Sequence, residues 1–123
     1  MHGHWIQTHH EQLMELSKVK PTTIFFGDSI VEGLERYPSV WKKFVKINCQ
    51  NMGIGGDRVE NLLHRISSTN IPKSVESVFI LIGSNNIGGK YDPQTIAIGI
   101  IECGLIIKKK KACPSGDMWN TST

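Results

Sequence analysis

Three short apolar segments, each running into a turn and then a helix-like stretch, set what this chain can fold into. Thr22 to Phe26 (TTIFF) is β-branched and aromatic and stops at Gly27, which predicts a first strand. Lys46 to Met52 predicts a second, although Asn48, Gln50 and Asn51 are poor strand formers. The glycine-rich turn Gly53-Ile54-Gly55-Gly56 follows it. Val75 to Ile82 (VESVFILI) is the clearest strand, and its continuous apolar run suits a strand buried on both faces of a parallel sheet.

The stretches between read as helices. Trp5 to Lys20 is expected to be one, with Thr8 and Glu11 as a capping box, Leu13 and Leu16 on one face, and Pro21 as its stop. Ser29 to Arg36 is a short helix with Val31 and Leu34 inward. Pro38 interrupts it, and Ser39 is expected to cap a further turn bearing Trp41, Phe44 and Val45. Asp57 and Glu60 match an Asp-x-x-Glu cap ahead of Val59, Leu62, Leu63 and Ile66, an amphipathic spacing. Asp92 at N-cap and Pro93 at N1 open a long helix with Ile96, Ile100, Ile101 and Leu105 as its buried stripe. Strands alternating with helices predict an α/β fold, a parallel sheet with helices on both faces. A βαβ unit takes roughly 30 residues, so 123 residues hold one domain with three strands.

Charge narrows the function classes. The chain carries 14 Lys and Arg against 11 Asp and Glu, but Lys108 to Lys111 supply four of the positives in one run. That run reads as a solvated helix end, where cations suit the helix dipole, rather than as the spread basic face of a nucleic-acid reader. No segment approaches the roughly 18 apolar residues of a membrane span. The start, MHGHWIQTHHEQ, has no apolar core of a signal peptide. Cys49, Cys103 and Cys113 form no Cys-x-x-Cys, so a reduced, cytoplasmic protein without a zinc site is expected. His2, His4, His9 and His10 read as a solvated helix start. Neither G-x-G-x-x-G nor the P-loop motif occurs, which argues against nucleotide binding.

In an open α/β sheet, chemistry sits just beyond the carboxyl ends of the strands. Three segments lie there: Gly27-Asp28-Ser29-Ile30, Gly53-Ile54-Gly55-Gly56-Asp57 and Gly83-Ser84-Asn85-Asn86. Taken singly, Ser29 reads as an N-cap, the glycines as a tight turn, Asn85 and Asn86 as turn formers, and Asp28 as a brace. Together and in this order they provide a serine at a helix start and amide donors converging on it, the equipment of acyl transfer.

The three blocks FFGDSI, NMGIGGD and LIGSNN resemble the nucleophile, glycine and asparagine blocks of the SGNH, or GDSL-type, hydrolases. The resemblance spans about residues 5–112. Within that family it is greatest to the catalytic subunits of the intracellular platelet-activating factor acetylhydrolases, through Trp5, the Gly-Ile-Gly-Gly-Asp loop and the Gly-x-Asn-Asn block. It implies a three-layer, flavodoxin-like sheet of order 2-1-3-4-5. It implies Ser29 as nucleophile and the Ser29 N–H, Gly56 N–H and Asn85 side chain as oxyanion hole, with Asp28 and Asp57 supporting the turns. It also implies short acyl esters, such as an acetylated phospholipid, as substrates, no metal or other cofactor, a homo- or heterodimer, and a WD-repeat partner.

The family's Asp-x-x-His block, which supplies the base, does not occur in this sequence. His64 reads as a helix-surface or partly buried histidine, so no general base is identified. The chain departs from the family near Pro114, and the expectation is a sheet cut to about three strands. Two readings follow: an SGNH-type esterase domain, or a catalytically inactive relative or fragment that binds an acyl ligand or a partner. Val75 to Ile82, with one edge unpaired, is expected to leave the chain marginally stable and prone to self-association.

Overall fold

The computed structural model describes residues 3–112. The elements run α1 (Gly3–Val19), β1 (Thr23–Gly27), α2 (Ser29–Glu32), a 3-10 turn (Gly33–Arg36), α3 (Pro38–Lys46), β2 (Cys49–Gly53), α4 (Val59–Ser67), β3 (Ser77–Leu81), α5 (Ser84–Gly88) and α6 (Pro93–Ala112). The three strands form one sheet in the order β2-β1-β3. Both pairings are parallel, with Thr23 in register with Cys49 on one side and Ser77 on the other. This is the α/β flavodoxin-like arrangement, whose doubly wound order begins 2-1-3.

Strand alternation divides the sheet's side chains between two layers. Ile24, Phe26 and Met52 point to one face and are fully buried against Leu16 of α1, Leu62 and Ile66 of α4, and Cys103 and Ile107 of α6. Phe25 points to the other, where its ring lies 5.0 Å from Phe44 of α3 and 5.0 Å from Phe79 of β3. The first layer is a closed core. The second is open beside β3, where Phe79 and Leu81 are each 54% exposed. The expectation that the third strand is buried on both faces is therefore corrected: Ser77, Phe79 and Leu81 of β3 are exposed, and Val78 and Ile80 on the other face are half-buried.

Other expectations are corrected by tertiary contacts. Helix α1 starts at Gly3, so Thr8 and Glu11 lie inside it and form no capping box. Trp5 is anchored on Asp57 and His9 on Ser68, which holds the earlier turn in place. His9 is consequently buried rather than solvated. Helix α3 begins at Pro38, which occupies N1 where its missing N–H costs nothing, so Ser39 is not its cap. Strand β2 begins only at Cys49, because Asn48 has a φ of 54°, left-handed backbone that ends α3 and cannot be strand.

In α6 the buried positions are Ile96, Cys103 and Ile107, while Ile101 is 61% and Leu105 54% exposed. The apolar residues surround this helix, so periodicity alone could not select the inner face. Lys110 is not a solvated end either. Its ammonium donates to the carbonyls of Ile66, Ser67 and Thr69, closing the carboxyl end of α4, and burial lowers its pKa. Cys113 lies outside the described residues.

His9 carries a pH-dependent part of the stability. Its Nε2 lies 3.3 Å from Ser68 Oγ, and Nδ1 is buried without a hydrogen-bond partner. Burial, then the charges of Arg65, His64 and His10, lower its pKa from 6.5 to about 4. The fold thus holds the neutral imidazole, while the unfolded chain takes up a proton below about 6.5. The contribution is complete above that value and is lost as pH falls toward 4. Urea unfolding at stepped pH should show a loss of about 1–2 kcal/mol over this window, allowing for solvent screening. The same series on His9→Gln should be flatter, and an equal slope in both proteins would contradict the assignment.

Candidate functional site

The three strand-end segments meet at one edge of the sheet and hold one another there. Beyond β1, Asp28 is 1% exposed and caps α2: its Oδ1 accepts the Ile30 N–H at 2.9 Å. Its Oδ2 accepts the Ser84 hydroxyl at 2.9 Å, which ties the end of β1 to the end of β3. Ser29 is the first residue of α2 and is exposed.

Beyond β2, the Ile54 N–H donates to the Gly27 carbonyl at 3.0 Å, so the glycine loop crosses directly over the end of β1. The Gly55 N–H donates to Glu32 Oε1 at 3.1 Å, and a Cβ placed on Gly55 would lie 3.7 Å from Ser29 Cβ. Gly56 has a φ of +84°, a left-handed conformation that glycine adopts without strain. Beyond β3, Asn85 Nδ2 donates to the Asp57 carbonyl at 2.9 Å. That amide nitrogen carries two N–H groups, so one remains for another acceptor. Asn86 Oδ1 accepts the Val59 N–H at 2.8 Å, capping α4 from a different segment.

Asp57 is not the cap of α4, as the Asp-x-x-Glu spacing had implied; Arg58 precedes the helix. The Asp57 carboxylate is instead drawn inward by Arg65, with Nε 2.8 Å from Oδ2, while Trp5 Nε1 donates to Oδ1 at 2.5 Å. Glu60, the other half of the expected cap, accepts from Asn86 and Tyr91. Burial raises the Asp57 pKa above the usual carboxylate value, with Arg65 and the Trp5 indole opposing it. The Arg65 guanidinium is fully buried and also donates to the carbonyls of Met52 at 2.7 Å and Gly27 at 3.1 Å. One cation thereby joins the ends of β1 and β2 to the glycine loop.

A cleft of about 700 Å³ opens beside this loop, lined by His4, Trp5, Gly55, Gly56, Arg58 and Asn61. His64 is exposed on α4, its ring 6.1 Å from that of Trp5. Among the described residues no cluster of His, Cys, Asp or Glu could hold a metal ion.

The structure therefore places Ser29 against Gly55, and Asn85 on the carbonyl of the residue after Gly56, with Asp28 and Asp57 buried beneath. Trp5, Gln12, Ser84, Asn86 and Arg65 complete the arrangement, and of these Gln12 and Arg65 stand outside every sequence motif. Arg65 left a readable trace. It stands on the apolar face of α4 between Leu62 and Ile66, where a charge is tolerated only with a buried partner.

No family model matches the chain. It is 28% identical over 101 residues to the platelet-activating factor acetylhydrolase IB subunit alpha1 of Bos taurus, covering 80% of this chain and 43% of that protein. The Homo sapiens alpha1 subunit gives the same figures. The Homo sapiens alpha2 subunit is 27% identical over 84 residues, covering 67% of this chain and 36% of that protein. A solved structure described as a platelet activating factor from Streptococcus pneumonia superposes with a TM-score of 0.65 at 25% identity, over 84% of this chain and 46% of that one. The chain spans less than half the length of these relatives. In sequence the chain is similar to the platelet-activating factor acetylhydrolase IB subunits, and in fold to the Streptococcus pneumonia structure.

Proposed function

We propose that the chain carries the nucleophile and the oxyanion donors of an SGNH-type serine esterase acting on short acyl esters. The observation that supports this most is the meeting of Ser29, the Gly55-Gly56 turn and Asn85 at one sheet edge, bound together through Asp28 and Asp57. In this reading Ser29 Oγ attacks the acyl carbonyl. The charge that develops on the carbonyl oxygen is received by the Ser29 and Gly56 N–H groups and by the second N–H of Asn85. The family resemblance extends the proposal to a cytoplasmic protein that assembles with like subunits and a WD-repeat partner.

The proton on Ser29 needs an acceptor. The sequence holds no Asp-x-x-His, and the ring neighbour of His64 is Trp5. The 123-residue chain is therefore expected to hydrolyse p-nitrophenyl acetate slowly, with oxyanion donors and binding alone giving about 10³–10⁴-fold over water at most. Ser29→Ala should leave that residual rate nearly unchanged, because it does not use the hydroxyl, whereas Asn85→Ala should lower it at least about 10-fold; a residual rate untouched by Asn85→Ala removes the assignment. A second reading is an acyl-ligand or partner-binding module. Calorimetric binding of a short-chain acyl ligand by a chain without turnover, unchanged in Ser29→Ala, would support that one.

A further inference from the structure

Beside β2, on the side of the sheet away from β3, a cleft of about 380 Å³ separates α1 from the 3-10 turn and α3. Its walls belong to opposite faces of the sheet. Gln50 turns toward α1, where its Nε2 donates to the Gln12 carbonyl at 3.0 Å. Asn51 turns toward α2, where its Nδ2 donates to the Val31 carbonyl at 2.7 Å. Glu11 and Glu15 line the first wall, and Glu35, Trp41 and Val45 the second. Among the described residues no lysine, arginine or histidine lines this cleft.

The groups that face it are acceptors. None of the three carboxylates is in an ion pair with another described residue. Glu11 and Glu15 stand one turn apart on α1, a spacing at which like charges repel. Burial and then the charge of Glu32 raise the Glu35 pKa. The amide nitrogen of Gln12 is turned away to the Gly53 carbonyl at 2.9 Å. Gln50 supplies an independent mark. It lines the cleft and is 7% exposed, and its Nε2 is engaged by the Gln12 carbonyl and the Met52 sulfur. Its Oε1 is buried without a hydrogen-bond partner, a costly state that a donor would relieve.

We propose that this cleft binds a small polyamine, an alkyl chain carrying two or more ammonium groups. A metal ion does not fit the donors, because among the described residues no group of His, Cys, Asp and Glu is close enough to hold one. The carboxylates stand on facing walls, so the ligand's charges must be separated as they are. One ammonium meets Glu11 and Glu15, with Gln50 Oε1 as the neutral acceptor on that side, and another meets Glu35. The methylenes between them lie along Val19, Val45 and the Trp41 ring, and an indole face attracts a cation in its own right. A lysine side chain of a partner protein brings one charge and would satisfy one wall only. The volume falls within the range of small-molecule sites. None of these residues belongs to the serine site, so the cleft is independent of it.

Calorimetric titration of spermidine into the purified chain at about 50 mM salt should give one site with a Kd of about 100 µM. At about 200 mM salt the affinity should fall several-fold, because the carboxylates are open to screening. The double variant Glu15→Gln, Glu35→Gln should weaken binding about 10-fold. Both side chains are exposed, so the variant should keep its far-ultraviolet spectrum. Glu76→Gln, exposed and outside the cleft, should bind as the unsubstituted chain does. Trp41→Leu should lose about 3-fold. A capped lysine amide, with its single ammonium, should bind at least about 10-fold more weakly than spermidine. Three results would overturn the proposal: no heat of binding up to about 5 mM spermidine, equal affinity in the double glutamine variant, or a lysine amide that binds as tightly as spermidine. The last would assign the cleft to a lysine of a protein partner.

Discussion

Replacing Arg65 with Met should destabilise the fold by about 3–5 kcal/mol, the cost of breaking a buried ion pair from one side. The methionine keeps most of the hydrophobic stem and removes the guanidinium. That leaves the Asp57 carboxylate buried with only the Trp5 indole as donor, and takes a donor from the Gly27 and Met52 carbonyls. Domains of this size are stable by about 5–15 kcal/mol, so the variant should sit near the unfolding threshold. Urea unfolding followed by circular dichroism measures the effect. Arg65→Lys should lose less, since one ammonium can keep the charge but cannot reach three strand and loop segments at once. The double variant Asp57→Asn, Arg65→Met should recover part of the loss, because no uncompensated charge then remains inside. A loss below about 1 kcal/mol in the single variant would show that water reaches Asp57 and that the pair is not the clamp described above.

The same residue marks where sequence reading stops. The strand-end blocks were legible because glycine, aspartate, serine and asparagine directly after apolar runs have few purposes, and the parallel sheet follows from strand–helix alternation. Neither inference needs a partner. Arg65 needs one, and its partners come from positions 12, 27, 52 and 57, which no local pattern joins. The spacing of Asp57 to Glu60 implies a helix cap, yet the buried guanidinium outcompetes α4 for the Asp57 carboxylate. Asn86 does the capping from the far side of β3. Strand ends blurred for a related reason. The strand expected from Lys46 starts late because a single left-handed residue, Asn48, ends the preceding helix and delays β2 to Cys49. In α6 the apolar residues are too many to reveal a face; packing on α4 and the sheet selects Ile96, Cys103 and Ile107 and leaves Ile101 and Leu105 outside.

The second large effect is expected at Gly53, the last residue of β2. A Cβ there would stand 2.4 Å from the Glu32 backbone nitrogen and 2.9 Å from both Glu32 Cα and the Val31 carbonyl carbon. Those atoms belong to α2 rather than to a flexible side chain, so nothing can rotate away, and the helix itself must retreat. Helix α2 is a single turn held by the Glu32 N–H on the Asp28 carbonyl at 2.9 Å and by the Asp28 cap on Ile30. Its retreat would stretch those bonds and the Asn51 side-chain bond to the Val31 carbonyl, now 2.7 Å. Gly53→Ala should therefore cost about 3 kcal/mol, the upper part of the overpacking range, although a single methyl is added. It should also move Ser29 relative to Gly55 and Asn85, since Ser29 opens the helix that is pushed. Two measurements check this: urea unfolding for the stability, and amide chemical shifts of Ser29, Gly55 and Gly56 for the displacement. A variant that keeps both the stability and those shifts would mean that β2 and α2 lie far enough apart in solution to admit a Cβ at Gly53.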